Sequence, residues 1–288
     1  MLHHSLLPLT TFAMVASAFL SAQCHAAELS LLWEIKNGVR GPESIVYDSK
    51  RDCLYVSNYN VETPNEELGT DSVGKISRDG ELIDTDWLDG LSSPLGMEIH
   101  DDHLYVVERG RISVFDIALG ESIELIQTPN SVFLNDLTLT PEGTIFATDP
   151  RANAIYRITD GKLERWASGD QFTGVNGIMD DAENLLVGTS GDAALIAINK
   201  QTKSVSILAR FEGGILDGIQ KADTGYFVSL YHGELFRIEP GNPPKRILDT
   251  RERGLNCANF LYINDTNSLY IPELRNNSIS AYGFSETE

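Results

Sequence analysis

The chain has 288 residues, 42% hydrophobic and 22% charged, which is enough for one globular domain with a sizeable core. Its 42 Asp and Glu against 22 Lys and Arg give a formal net charge of -20. Such a surface repels phosphate backbones and anionic headgroups, which excludes nucleic acid and acidic membranes as expected partners, and it attracts cations such as Ca²⁺.

Residues 1–26 differ in character from the rest of the chain. LLPLTTFAMVASAFLSA is an apolar run, and Cys24-His25-Ala26 puts small residues at the −3 and −1 positions of a cleavage site. The segment reads as a secretory signal peptide cut before Ala27. That predicts a secreted or periplasmic protein, a mature domain over 27–288, and no membrane contact after cleavage. His3 and His4 stand where Lys or Arg is usual. An uncleaved anchor is the alternative, and a run of about 17 residues is at the lower limit for crossing a bilayer. Two cysteines then remain, Cys53 and Cys257. Export permits a disulfide between them, and two buried thiols explain them as well.

From residue 29 the pattern is that of short strands, rich in Val, Ile, Tyr and Phe and separated by Asp, Gly, Asn and Pro. No long stretch has the 3.6-residue period of an amphipathic helix. After a first strand, LSLLWEI (29–35), come six units: ESIVYDSKRDCLYV, LGMEIHDDHLYV, NDLTLTPEGTIF, NGIMDDAENLLV, DGIQKADTGYFV and ANFLYINDTNSLYI. Their first residues are Glu43, Leu95, Asn135, Asn176, Asp217 and Ala258, separated by 52, 40, 41, 41 and 41 residues. A period near 40 with about four strands per unit predicts an all-β fold, a six-bladed β-propeller. The strand at 29–35 is left over, and the last unit ends soon after SISAYGF. The N-terminal strand is therefore expected to complete the last blade and close the ring.

In a propeller the first strand of each blade lines a central channel, so the six first residues crowd round one mouth. Four of them, Glu43, Asn135, Asn176 and Asp217, carry oxygen. Taken singly, Asn176-Gly177 and Asp217-Gly218 would read as hairpin turns, but the units already have turns elsewhere, in TPEG, DDAEN and ADTG. Two carboxylates and two carboxamides in register point to a shared hard cation. Ca²⁺ takes six to eight oxygens, and Glu43 with Asp217 balances its charge. The ring holds no Cys or His, which disfavours Zn²⁺ and Cu²⁺.

The second strands return to the same mouth, ending near Asn58, Glu108, Asp149, Ser190, His232 and Glu273. His232 is the one neutral-pH base among them, a candidate catalytic helper beside Asp217, although a lone His is more often a surface residue. The insertion 58–74 in the first unit is either a flap over the mouth or a solvated acidic loop.

At these residues the chain resembles the calcium-dependent six-bladed propeller hydrolases of the gluconolactonase/senescence-marker-protein family, and more distantly diisopropylfluorophosphatase and the paraoxonases. The likeness covers nearly all of 29–284 and rests on GPES, LND, VNG and LDG. It implies that Glu43, Asn135, Asn176 and Asp217 surround a catalytic Ca²⁺. Three departures limit it. Glu43 follows Gly41-Pro42, where the gluconolactonase pattern has the Glu before Gly-Pro. Phe133 stands where the sugar lactonases have Arg, and Leu95 where the paraoxonases have a catalytic His. With Leu95, Phe133 and Ala258 at the mouth, the expected substrate is an apolar lactone or ester, hydrolysed with Asp217 orienting or deprotonating water. The alternative is a binding module with a structural calcium.

Overall fold

Alternating apolar and polar residues between short turns build six four-stranded antiparallel sheets in the computed structural model, which describes residues 28–59 and 69–285. The segment read as a signal peptide lies outside the described residues, as do residues 60–68 of the insertion in the first unit. The inner strands are Pro42–Asp48, Met97–His100, Leu137–Leu139, Val175–Asp181, Leu216–Lys221 and Leu261–Ile263. Each packs beside the next, and the first lies beside the last, where Ser44 and Asn259 form a parallel bridge. The sheets are therefore the blades of a closed six-bladed propeller.

Closure takes the expected route. The strand Glu28–Ile35 forms the outer edge of blade 6, antiparallel to Ser278–Ser285, with Glu28 opposite Ser285 and Ile35 opposite Ile279. Hydrogen bonds between the two ends of the domain thus seal the ring, instead of side-chain packing alone. Among the described residues the only helices are 3-10 turns of three residues, such as Asp170–Phe172 and Arg251–Arg253.

The core is divided into six apolar clusters, one at each blade–blade interface. Aromatic pairs bind the layers. Tyr55 packs on Trp87 at 4.4 Å between centroids, Phe146 on Trp166 at 5.2 Å, and Phe227 on Tyr262 at 4.7 Å. Tyr55 and Phe227 are fully buried, and each such side chain stabilises the fold by about 1.5–3 kcal/mol. Burial falls from the channel outward: Leu137–Leu139 is wholly buried, whereas the outer strand Val205–Arg210 buries one residue. Cys53 lies in the interface of blades 1 and 2 and Cys257 in that of blades 5 and 6. Both are free buried thiols, so the disulfide does not form.

Candidate metal centre and ligand cavity

The mouth of the channel is shaped by a β-bulge repeated from blade to blade. In blade 1, Pro42 pairs with Asn58 and Ile45 with Val56, so Glu43 and Ser44 both face Ser57. Asn176 and Gly177 face Gly188, and Asp217 and Gly218 face Ser229, in the same way. Leu95 and Gly96 both bond to the Val107 backbone at 2.9 Å, and Asn135 and Asp136 both bond to that of Thr148 at 2.9 Å. A bulge bends and twists its strand and re-aims the side chains on it. Here it supplies two stacked rings, the expected one and a second formed by Ser44, Gly96, Asp136, Gly177, Gly218 and Asn259.

The bulge also settles what Asn-Gly and Asp-Gly do here. Both pairs lie in inner strands, not in hairpins. A Cβ at Gly177 would overlap the Asp217 carbonyl oxygen, and one at Gly218 would sit 2.7 Å from Phe260 Cδ1 and 2.9 Å from the Phe260 nitrogen. These glycines let neighbouring blades approach near the axis.

Glu43, Asn135, Asn176 and Asp217 come together on one cavity of about 530 Å³. Its other walls are Leu95, Phe133, Tyr59, Ile215, Tyr231, Leu274 and Arg275. Glu43 Oε2, Asn135 Oδ1 and Asn176 Oδ1 are buried there without a hydrogen-bond partner among the described residues. A buried acceptor left unpaired costs about 1–3 kcal/mol, so three at one point need a common explanation. Burial pushes the Asp217 carboxyl up to about 7. It holds Glu43 well above the usual carboxylate range, with the Asp217 and Asp136 charges adding to the effect. A hard divalent cation would satisfy the three oxygens and relieve the repulsion. Among the described residues no three His, Cys, Asp or Glu side chains form a ligand group, so an ion here must draw on the two amide oxygens.

Asp136, in the second ring, was not picked out from the sequence. It is buried, and it accepts from the backbone nitrogens of Leu137 at 2.9 Å and Ile178 at 3.2 Å, tying blade 3 to blade 4. Burial lifts its carboxyl to about 8, against the pull of those two hydrogen bonds. Thr148 Oγ1 donating to Asn176 O (2.6 Å) and Ser229 Oγ donating to Ala258 O (2.9 Å) make similar ties between blades.

The residues at the ends of the second strands brace loops instead of lining the cavity. Asn58 accepts from Arg40 N at 3.3 Å, and Glu108 from Ser92 N at 2.6 Å. Asp149 accepts from Val132 N at 2.6 Å and Phe133 N at 3.0 Å, which fixes Phe133 at the cavity wall. Ser190 Oγ donates to Gly174 O, and Glu273 accepts from Ser278 and Ser280. His232 is a correction. It is exposed and lines a separate cavity with Arg210, Glu234 and Arg246. Leu230 pairs with Leu216, and Tyr231 N donates to Ile215 O at 2.9 Å, so Tyr231 reaches the mouth and His232 lies one residue past it. Of the walls that the strand count overlooked, Ile215 comes just before an inner strand, and the others are Tyr59, Tyr231, Leu274 and Arg275. These others come just after the strand ends, where the pattern carries no period.

No protein-family model matches this chain, and no curated protein matches it. Solved structures do. A gluconolactonase from Xanthomonas campestris is similar over 90% of this chain and 90% of its own, at 18% identity and a TM-score of 0.71. A catalytically inactive virginiamycin B lyase from Staphylococcus aureus, determined with quinupristin, is similar over 89% of this chain and 99% of its own, at 15% identity and a TM-score of 0.62. A streptogramin B lyase covers 90% and 98%, at 16% identity and a TM-score of 0.63. At these identities the likeness is one of fold alone.

Proposed function

We propose that this chain is an exported calcium-dependent hydrolase of lactones or esters, with Glu43, Asn135, Asn176 and Asp217 holding the ion. The observation that carries the reading is the convergence of three buried, unpartnered oxygens and the Asp217 carboxyl on one cavity. When bound, Ca²⁺ would supply Lewis acidity toward a carbonyl oxygen and countercharge for the two carboxylates. Asp217, ionised, orients the attacking water or accepts its proton. Leu95, Phe133, Ile215 and Leu274 hold the apolar part of the substrate and exclude bulk water. His232 has no part in this chemistry.

The test is a screen over lactones, aryl esters and phosphotriesters, with and without chelator. Turnover that chelator abolishes, and that Asp217→Ala and Glu43→Ala each lower at least 100-fold, supports the reading. Unchanged turnover in either variant sinks it. One observation favours a second reading, a binding module with a structural ion: no histidine is among the described residues that line the cavity. In that case chelator lowers Tm and no substrate of the panel is turned over.

A further inference from the structure

The rim of this cavity carries a guanidinium with no acidic partner among the described residues. Arg275 lines the cavity from blade 6. Its Nε donates to the Tyr231 hydroxyl oxygen at 3.1 Å, and its guanidinium lies over the Tyr231 ring, 5.7 Å from the centroid. This holds the side chain in place and leaves both terminal amino groups able to donate outward. Among the described residues no Asp or Glu stands within ion-pair distance of it, in a chain with 42 acidic residues to 22 basic. Arg40, Arg51, Arg78 and Arg111, by contrast, each pair with a carboxylate.

Blade 3, three blades away and so across the channel, carries a second guanidinium. The Arg151 guanidinium lies 4.2 Å from the centroid of the Phe133 ring, a wall of the cavity, and it too has no carboxylate partner among the described residues. Arg275 is thus a wall of the cavity and Arg151 is held against another of its walls, Phe133, so two guanidiniums are added to a mouth that also carries the Glu43 and Asp217 carboxylates.

We propose that Arg275, assisted by Arg151, binds the carboxylate of an anionic ligand whose apolar body lies against Phe133 and Leu274. Under the hydrolase reading, on which this inference rests, the substrate is an apolar lactone or ester with a carboxylate remote from the bond that is cleaved. The planar guanidinium matches a carboxylate through two parallel hydrogen bonds. The apolar lactone or ester expected from the sequence thereby gains a carboxylate.

The test uses the full chain loaded with Ca²⁺ and a matched pair of probes, 3-phenylpropionate and 3-phenylpropionamide, with binding measured by calorimetry. Wild type binds the carboxylate at least tenfold more tightly than the amide. Arg275→Gln brings the two close to parity, and Arg151→Gln removes a smaller share of the preference, while Ca²⁺ affinity measured on the same samples is unchanged. Equal binding of both probes by wild type overturns the inference. So does a preference that survives both substitutions, which would assign the carboxylate to the cation itself. If the Arg275-dependent preference holds while neither 4-nitrophenyl butyrate nor 4-nitrophenyl hydrogen glutarate is turned over, the hydrolase reading fails and the ligand assignment stands.

Discussion

The channel has two ends, both rich in oxygen, and they differ in whether the protein satisfies its own polar groups. The far end opens into a cavity of about 680 Å³ lined by Glu98, Asp136, Asp180, Gln220 and Asn259, among others. There Glu98 accepts from Leu139 N at 3.2 Å, Asp180 pairs with Lys200 at 2.5 Å, and Asp136 takes two backbone donors. At the near mouth Glu43 Oε2, Asn135 Oδ1 and Asn176 Oδ1 receive nothing from the described residues. A deficit of partners, more than an abundance of acid, distinguishes a site from a well-braced interior.

The largest effect should come from removing a carboxylate at the near mouth. Asp217→Ala or Glu43→Ala is expected to weaken Ca²⁺ binding at least 100-fold, read by calorimetry. Next is the packing that creates the ring. Gly177→Ala forces a Cβ into the Asp217 carbonyl oxygen of the neighbouring blade. Overpacking of this kind costs about 1–3 kcal/mol, which urea unfolding would measure, and the displaced Asp217 would weaken Ca²⁺ binding at the proposed site as well.

A smaller effect is a pH dependence that reverses with metal. In the metal-free fold burial holds Asp217 at about 7, and Asp136 and Glu98 at about 8. Carboxylates of the unfolded chain titrate near 4. The folded protein therefore keeps protons that the unfolded chain has lost. The stability these groups contribute is complete below the unfolded pKa and is lost as pH rises through 7 to 8. Tm of the chelated protein should fall between pH 5 and pH 8, while Ca²⁺ affinity should rise over the same interval as Asp217 ionises. A chelated protein whose Tm climbs through that window would contradict the burial argument. The smallest effect is expected at the far end: Glu98→Gln should leave Ca²⁺ affinity within about twofold and flatten part of the pH dependence.

Much of the fold was legible because a propeller repeats its sequence. The 41-residue spacing of Asn135, Asn176 and Asp217 places them in one ring, and the spare strand at 29–35 closes it. The walls of the site were harder to read. The turns after the second strands differ in length and carry no period, so counting reached Asn58 and Glu273, one short of Tyr59 and Leu274, and ran to His232, one past Tyr231. Asp136 was passed over because it comes directly after Asn135, and alternation along an unbulged strand would turn it away from the axis. Arg275 and Arg151 lie just beyond strand ends, where no period marks them, and only the three-dimensional ring shows that one lines the cavity and the other packs on its wall residue Phe133.

A calorimetric titration of Ca²⁺ into the chelator-treated protein, run beside Asp217→Ala and Glu98→Gln, tests the central claim most directly. One ion per chain should bind to wild type and to Glu98→Gln, with binding lost in Asp217→Ala. No binding to wild type, or equal affinity in Asp217→Ala, would contradict the assignment of the near mouth as the calcium site.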